Sequence, residues 1–370
     1  MNIKSLLIGS AAALAAVSGA QAADAIVAAE PEPMEYVRVC DAFGTGFFYI
    51  PGTETCLKFQ GYVRFQVDIN RGSSSNTDGT ANGGRSDWDA FTRAQFEVDT
   101  RSDTELGALR GFIGFRGDAD NAAGSSSSVS VHQAFIELGG LKVGLFANWW
   151  DDGLSGEVDN LSSNRTRLNA VRYTYDAGSF YAGVAVEELE NVVAGGSNNF
   201  GVTQSNWTQN NGKLNANNVG VSAIIGGKFG DVSANLLGGY DTNAENGAVR
   251  AIVTAAIGPG TFGLSGVWAS GANAYYEESE WAVAAEYAIK ATDKLTITPG
   301  VQYARGLDIS SNGDFTGNRD AWRAGVAAGY KIAPGLSTLV SATYQDVDGT
   351  KGVNGAGDSW TGFVRLQRAF

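Results

Sequence analysis

From about residue 57 onward the chain alternates between apolar and polar positions. In Trp281–Ile289 the odd positions Trp281, Val283, Ala285, Tyr287 and Ile289 are apolar, and the even ones are small or charged, Glu286 among them. A period of two marks a strand whose two faces meet different surroundings. The pattern keeps returning without a helical stretch to cover either face. Seven short connections interrupt it: Arg101–Glu105, Gly139–Lys142, Asp176–Ser179, Lys228–Asp231, Gly258–Gly260, Ala291–Lys294 and Ala333–Gly335. Each carries Gly, Pro or Asp chemistry suited to a tight reversal. Longer polar stretches alternate with them, such as Gly72–Asp87, Gly117–Val129, Trp149–Leu168, Glu188–Asn217, Gly306–Asn318 and Asp346–Gly357. Seven hairpins with both chain ends on the short-turn side predict an all-β, transmembrane antiparallel β-barrel of about sixteen strands. A barrel of that size encloses an aqueous channel, where eight strands would be filled by side chains.

The N-terminus reads as a processing signal over residues 1–22: Lys4, then the apolar Leu6–Val17, then the small-x-small exit Ala20, Gln21, Ala22. About a dozen apolar residues are too few to span a bilayer. Residues 23–56 form a separate N-terminal segment on the periplasmic side, and 57–370 the barrel. Cys40 and Cys56 are the only cysteines. In an exported chain such a pair reads as a disulfide in preference to a metal or redox site, and it would restrict the unfolded chain by about 3 kcal/mol.

Strand parity assigns the wall. Leu57, Phe59, Gly61, Val63 and Phe65 share one face, so Lys58, Tyr62, Arg64 and Gln66 point inward. By the same rule Arg93, Gln95 and Glu97 face in behind Ala94, Phe96 and Val98, and Arg110 and Arg116 face in behind Leu109, Ile113 and Phe115. An arginine at mid-membrane on the lipid side would cost roughly 2–4 kcal/mol, which favours this assignment. Opposite them, the third long loop carries Asp151, Asp152, Glu157 and Asp159 with no base among them, and its paired Trp149 and Trp150 need a wall to pack on. The reading is a constriction loop folded into the lumen, its carboxylates facing a basic wall of Arg64, Arg93, Arg110 and Arg116. The blander reading is an exposed acidic loop. Arg165 and Arg167, at its exit, either pair with those acids or line the pore.

Trp322 and Tyr330 share parity eight residues apart, which places them roughly 20 Å apart along the membrane normal, as two interfacial belts require. Trp268 and Trp281 join this aromatic belt, with Tyr287, Tyr303 and Tyr344. At the C-terminus Val364, Leu366 and Phe370 share one parity, with Arg368 interrupting it. A terminal aromatic on an outward strand face is the pattern that barrel-assembly machinery reads.

Several segments resemble one family. Met1–Leu6, the Gly19–Asp24 exit, Glu35–Cys40, Phe48–Cys56, Gly61–Arg64 and the Phe363–Phe370 ending are similar to the general diffusion porins of the alphaproteobacterial, rhizobial-type outer membrane. The resemblance covers the whole length. It implies an outer-membrane location in a Gram-negative cell, sixteen strands, a homotrimer, and a third loop folded into the lumen.

Composition narrows the function. Glycine supplies 50 of 370 residues, and the mean hydropathy of −0.10 suits one greasy and one wet strand face. The formal charge of −13 argues against a nucleic-acid partner and biases a lumen toward cations. Many acids, including Glu188, Glu190, Asp241, Glu277 and Glu278, are expected in outer loops, where salt screens them beyond roughly 8 Å. An enzyme is disfavoured: the single histidine, His132, has no nucleophile motif and reads as a rim or lipid-interface residue, and no cofactor or metal cluster is apparent. The expected function is a water-filled channel for passive diffusion of ions and small hydrophilic solutes, weakly cation-preferring. The alternative is a sugar-specific channel, with Phe91, Phe112, Phe135 and Phe146 as an inward aromatic ladder. A soluble β-sandwich is disfavoured by the apolar, aromatic-belted strand faces.

Overall fold

The structure is a computed structural model that describes residues 38–72, 88–120, 128–161, 166–190, 199–202, 218–351, 353 and 355–370. The chain divides into two units, Met1–Arg38 and Val39–Phe370. Only Arg38 of the first is described, so the leader lies outside the described residues, as do Arg165 and the loop 73–87.

The second unit is a closed antiparallel barrel of sixteen strands. A two-residue strand β1 (Phe48–Tyr49) pairs with the start of β2 (Cys56–Gly72). Then follow β3 (Trp88–Thr104), β4 (Gly107–Asp120), β5 (Val129–Leu138), β6 (Leu141–Ala147), β7 (Arg167–Asp176), β8 (Phe180–Glu188) and β9 (Val219–Phe229). The circuit continues through β10 (Val232–Asp241), β11 (Asn246–Ile257), β12 (Gly260–Ala269), β13 (Trp281–Lys290), β14 (Leu295–Arg305), β15 (Asp320–Ala333), β16 (Leu336–Val347) and β17 (Gly357–Ala369). Each strand pairs with its neighbours in sequence, and β17 closes the ring on β2 with Val364 opposite Val67. No helix of the described residues is long and apolar enough to cross a membrane.

Six of the seven short reversals occur where turn chemistry places them; the first is shifted to Glu105–Leu106, because Arg101–Thr104 continue β3. At Gly139–Gly140, between β5 and β6, both residues have positive φ (55° and 89°), the geometry of a two-residue hairpin that other residues adopt only with strain. The parity assignment also holds: Phe59, Val63, Phe65, Ile113 and Phe115 are exposed on the outer face, and Gln66, Gln95 and Asp99 are buried on the inner one. On the outside, Trp268 stands opposite Trp281, and ring contacts continue from Trp281 to Tyr303 (5.6 Å), Trp322 to Tyr344 (5.3 Å) and Tyr344 to Trp360 (5.2 Å). Tyr330 lies outward at the opposite end of β15, beside the short turns.

Phe370 extends the closing pair, exchanging backbone bonds with Gly61 (3.0 and 3.1 Å) while its ring stays exposed. Arg368 does not remain on the apolar face. Its guanidinium folds to the carbonyl of Pro334 in the adjacent short turn (2.9 Å). Cys40 and Cys56 are joined by a disulfide. The stapled loop buries Phe47 beside two inward cations, Lys58 (5.7 Å) and Arg101 (5.1 Å).

Candidate functional site

The third long loop lies inside the barrel against the wall. It leaves β6 in a single 3-10 turn, Trp149–Asp151, capped by the Asn148 side chain, which accepts from the Trp150 amide (3.0 Å). Both tryptophans are buried. Their seats exist because the wall lacks side chains there: a Cβ at Gly183 would lie 2.6 Å from the Trp149 ring. Polar and charged side chains of β11, β13, β14 and β15 then hold the loop backbone. Arg250 of β11 donates to the carbonyls of Trp149 (2.8 Å), Trp150 (3.1 Å) and Leu161 (3.1 Å). Glu286 of β13 accepts from the amides of Ser155 and Gly156 (2.7 Å each) and from the Ser155 hydroxyl (2.5 Å). Gln302 of β14 accepts from the Asn160 amide (2.7 Å), and Arg323 of β15 donates to the Val158 carbonyl (3.4 Å). Hydrogen bonds to ionised groups contribute about 1.5–3 kcal/mol each, so the loop is firmly seated.

The opposing wall is basic, as parity predicts, and it sits at two levels. Arg64 bonds Gln367 (2.9 Å), and Arg116 bonds Gln95 (2.9 Å) and the Tyr62 hydroxyl (3.3 Å). Arg93 forms a bidentate pair with Asp118 (2.6 and 2.7 Å). Arg365 of β17 lies 3.5 Å from Glu157 of the loop and donates to Gln66 (2.6 Å). Arg167 is within electrostatic range of Arg93, Arg116 and Asp151. Arg110 stands apart. It pairs with Asp99 (3.0 Å) and Glu137 (3.4 Å), six residues nearer the short turns than Arg116. Its guanidinium covers Phe112 and Phe135, and Lys142 and Arg172 cover Phe135 and Phe146. These three phenylalanines are buried together beneath cations, and Phe91 lies under Arg93.

Of the four loop acids, two turn toward the arginines. Glu157 reaches Arg365, and Asp151 interacts with Arg167. Asp152 lines the space under the loop on the short-turn side. Burial raises its carboxyl above the ordinary range. Asp159 packs behind the loop, where burial, with the Glu286 carboxylate nearby, pushes its pKa up to about 6. His132 is a correction to the rim assignment. It is the extra residue of a β-bulge between Phe115–Val131 and Gly114–Gln133, partly buried and facing Arg116, Arg167, Arg93 and Asp151. The bulge shifts parity by one and turns it inward, which alternation alone cannot foresee.

Among the described residues no group of three or more His, Cys, Asp or Glu side chains is placed to hold a metal ion. The arrangement is a closed ring with a loop seated on its inner wall and carboxylates of that loop near inward arginines. A family model described as "Porin subfamily" matches residues 24–364. The chain belongs to the porin subfamily. It is 50% identical to outer membrane protein IIIA of Rhizobium leguminosarum bv. viciae over 94% of this chain and 90% of that one. It is 37% identical to the porin Omp2b of Brucella neotomae over the full length of both. The fold matches that of the outer membrane protein OmpT of Vibrio cholerae, described in a trimer form, with a TM-score of 0.59 over 86% of this chain and all of that one, at 14% identity. The porin is therefore an outer-membrane channel.

A second inward loop was not legible in the sequence. Gly271–Ser279, between β12 and β13, is buried throughout. Tyr275 packs on Trp150 (5.9 Å) and bonds Glu187 of β8 (2.5 Å), so it fills the lumen behind the constriction loop. Glu277 and Glu278 are thus corrected from open outer-loop acids to buried ones. Burial raises Glu277 to about 8, with Glu278 beside it, and raises Glu278 to about 7 against hydrogen bonds from Asn199 and the charge of Arg323. Asp241 is buried as well, accepting from Asn218 (3.0 Å) and the Ala274 amide (3.1 Å). The holding residues Arg250, Glu286, Gln302, Arg323 and Arg365 carried one available signal: long polar side chains at inward parity on otherwise small-residue faces.

Proposed function

We propose that this porin is a passive pore for ions and small hydrophilic solutes, weakly cation-preferring, narrowed where Asp151 and Glu157 meet the arginine wall. The supporting observation is that apposition inside a closed sixteen-strand ring. Around the narrowing Arg93 pairs with Asp118, Arg365 with Glu157, and Arg167 interacts with Asp151, while Arg64 and Arg116 bond neutral partners. The cation preference rests on the acidic total of the chain, formal charge −13, of which only the carboxylates within roughly 8 Å of the passage act directly. Arg110 acts one level below. Charges facing across the passage orient polar solutes and disfavour bulky apolar ones, which lose hydration.

The sugar-specific alternative gains little support, because Phe112, Phe135 and Phe146 are buried under Arg110, Lys142 and Arg172 and offer no open ring faces. The porin acts as a homotrimer in this reading. β6 has seven residues, which at the usual tilt span about 18 Å of an apolar band about 25 Å tall. The exposed Leu141, Val143 and Ile136 beside it then suit cover by a neighbouring protomer. Trp268, Trp281, Trp322 and Tyr330 anchor the barrel at the two lipid interfaces, and Phe370 supplies the assembly signal. The Cys40–Cys56 loop forms a periplasmic lip.

Single-channel current of the refolded porin under a salt gradient tests the proposal. The expected result is three-step conductance with a modest cation-selective reversal potential. Absence of ion current, or current blocked saturably by one sugar, would overturn it.

A further inference from the structure

A cavity of about 360 Å³ lies under the constriction loop, on the side of the short turns. Its ceiling is Asp152 and Gly153, held in place because Arg250 and Glu286 fix the loop on either side of them. Its floor is Lys228, at the end of β9. Between them stand Tyr181, Asn235, Ser233 and Thr254, all from inward positions of β8, β10 and β11. The Tyr181 ring lies flat over Gly226, where any Cβ would collide with it, and its hydroxyl bonds Asn235. The wall is thus an aromatic ring and an amide, with two hydroxyls below.

The two ends carry opposite charge. Among the described residues neither Asp152 nor Lys228 has an ion-pair partner within 4 Å, although Arg250 and Arg172 act on Asp152 from further off. Lys228 is level with Ser233 and Thr254, and Asn235 is two residues nearer the loop. Two strand residues span about 7 Å, so the acid and the base are on the order of 10 Å apart. A three-residue extended peptide reaches about 10 Å from end to end. Its amide groups match Asn235 and the hydroxyls, and its ammonium and carboxylate termini match the two ends. A neutral sugar would leave both charges unused, and a simple anion would meet stronger sites on the arginine wall.

We propose that this alcove is a binding site for short zwitterionic peptides, with the ammonium group at Asp152 and the carboxylate at Lys228. The site gives a passive pore a weak preference among the solutes it passes, and in that sense it rests on the channel reading above. Retention has to be weak, since a solute that binds tightly does not leave.

Titration calorimetry of the folded porin in detergent, with triglycine as the probe, tests it without any current. The expected dissociation constant is on the order of 1 mM, about 4 kcal/mol of binding. Asp152→Asn and Lys228→Gln should each weaken it at least about tenfold, the loss of one charged contact. Combining Asp152→Lys with Lys228→Asp should restore much of the affinity by reversing the peptide. N-acetyl-triglycine amide, which lacks both end charges, should not bind. No saturable triglycine binding, or equal binding of the capped peptide, would overturn the proposal. Equal binding in both single variants would overturn it too. A porin that binds triglycine yet carries no ion current would sink the channel reading and leave the alcove standing. Ion current without triglycine binding would sink only the alcove.

Discussion

The wall from β2 to β4 and the wall from β8 to β14 share one alternation yet point opposite kinds of residue inward. The first presents Lys58, Tyr62, Arg64, Arg93, Gln95, Arg110 and Arg116, long side chains several of which bond polar partners on the same wall. The second presents Gly183, Ser222, Ala248, Gly263, Ala284 and Ala304, too short to fill the space before them. Loops take that space. Trp149, Trp150, Leu161, Tyr275 and Tyr276 pack on the small-residue wall, each large apolar group stabilising its seat by roughly 1.5–3 kcal/mol. The open passage is consequently left on the arginine side. Where a barrel has small inner residues it has been filled, and where it has long charged ones it stays wet.

Removing the loop's main clamp should break this comparison most visibly. Arg250→Ala leaves three loop carbonyls without their donor, and we expect single-channel conductance to rise about twofold, with added noise, as the filled half opens. Unchanged conductance would mean that the loop holds its place without Arg250. Glycine substitutions come next. Gly183→Ala sets a methyl 2.6 Å from the Trp149 ring and should destabilise by about 1–3 kcal/mol, read as a lower temperature at which the folded band is lost on a gel. Gly114→Ala, on the open wall, meets its first neighbour at 3.4 Å and should leave that temperature nearly unchanged. Equal sensitivity of the two would dissolve the distinction between halves.

Charge removal sharpens the picture on the open side. Arg93→Ala frees Asp118, whereas Arg64→Ala removes a cation that donates to the neutral Gln367. Both should enlarge conductance and move the reversal potential toward cations, Arg93→Ala further. Unaltered conductance and selectivity in both variants would remove the arginines from the narrowing.

The smallest effect concerns pH in the filled half. Glu277 and Glu278 are held up at about 8 and about 7, above the ordinary 4.5. The folded state therefore binds their protons more tightly than the unfolded chain. Packing of Gly271–Ser279 is firmest below about pH 4.5 and weakens as pH rises through 7 and 8. Hydrogen exchange of these amides, corrected for its intrinsic pH dependence, should quicken several-fold between pH 5 and 9. Flat protection across that range would show that the segment does not feel these carboxyls.

Much of this was readable before folding. Alternation, turn chemistry and parity specify the strands, the seven reversals, the outward aromatics and the inward arginines, because a strand's two faces are fixed by its own spacing. The tryptophan pair likewise pointed the third loop inward. The carboxylates of that loop were readable only as a set: chain spacing does not tell which of Asp151, Asp152, Glu157 and Asp159 meets an arginine, since loop backbone has no period.

The sequence by itself determined that a closed, wet-centred barrel forms and which residues line it. Tertiary structure alone decided three further things. It set Arg110 opposite Arg101 and well below the level shared by Arg64 and Arg93, since the register between strands fixes relative height only once they pair. It turned His132 inward through a one-residue bulge. It folded Gly271–Ser279 into the lumen to meet Trp150, a contact across more than a hundred residues. Local pattern fixes which face a residue occupies, but what fills a cavity depends on every wall around it, and those walls come from distant parts of the chain.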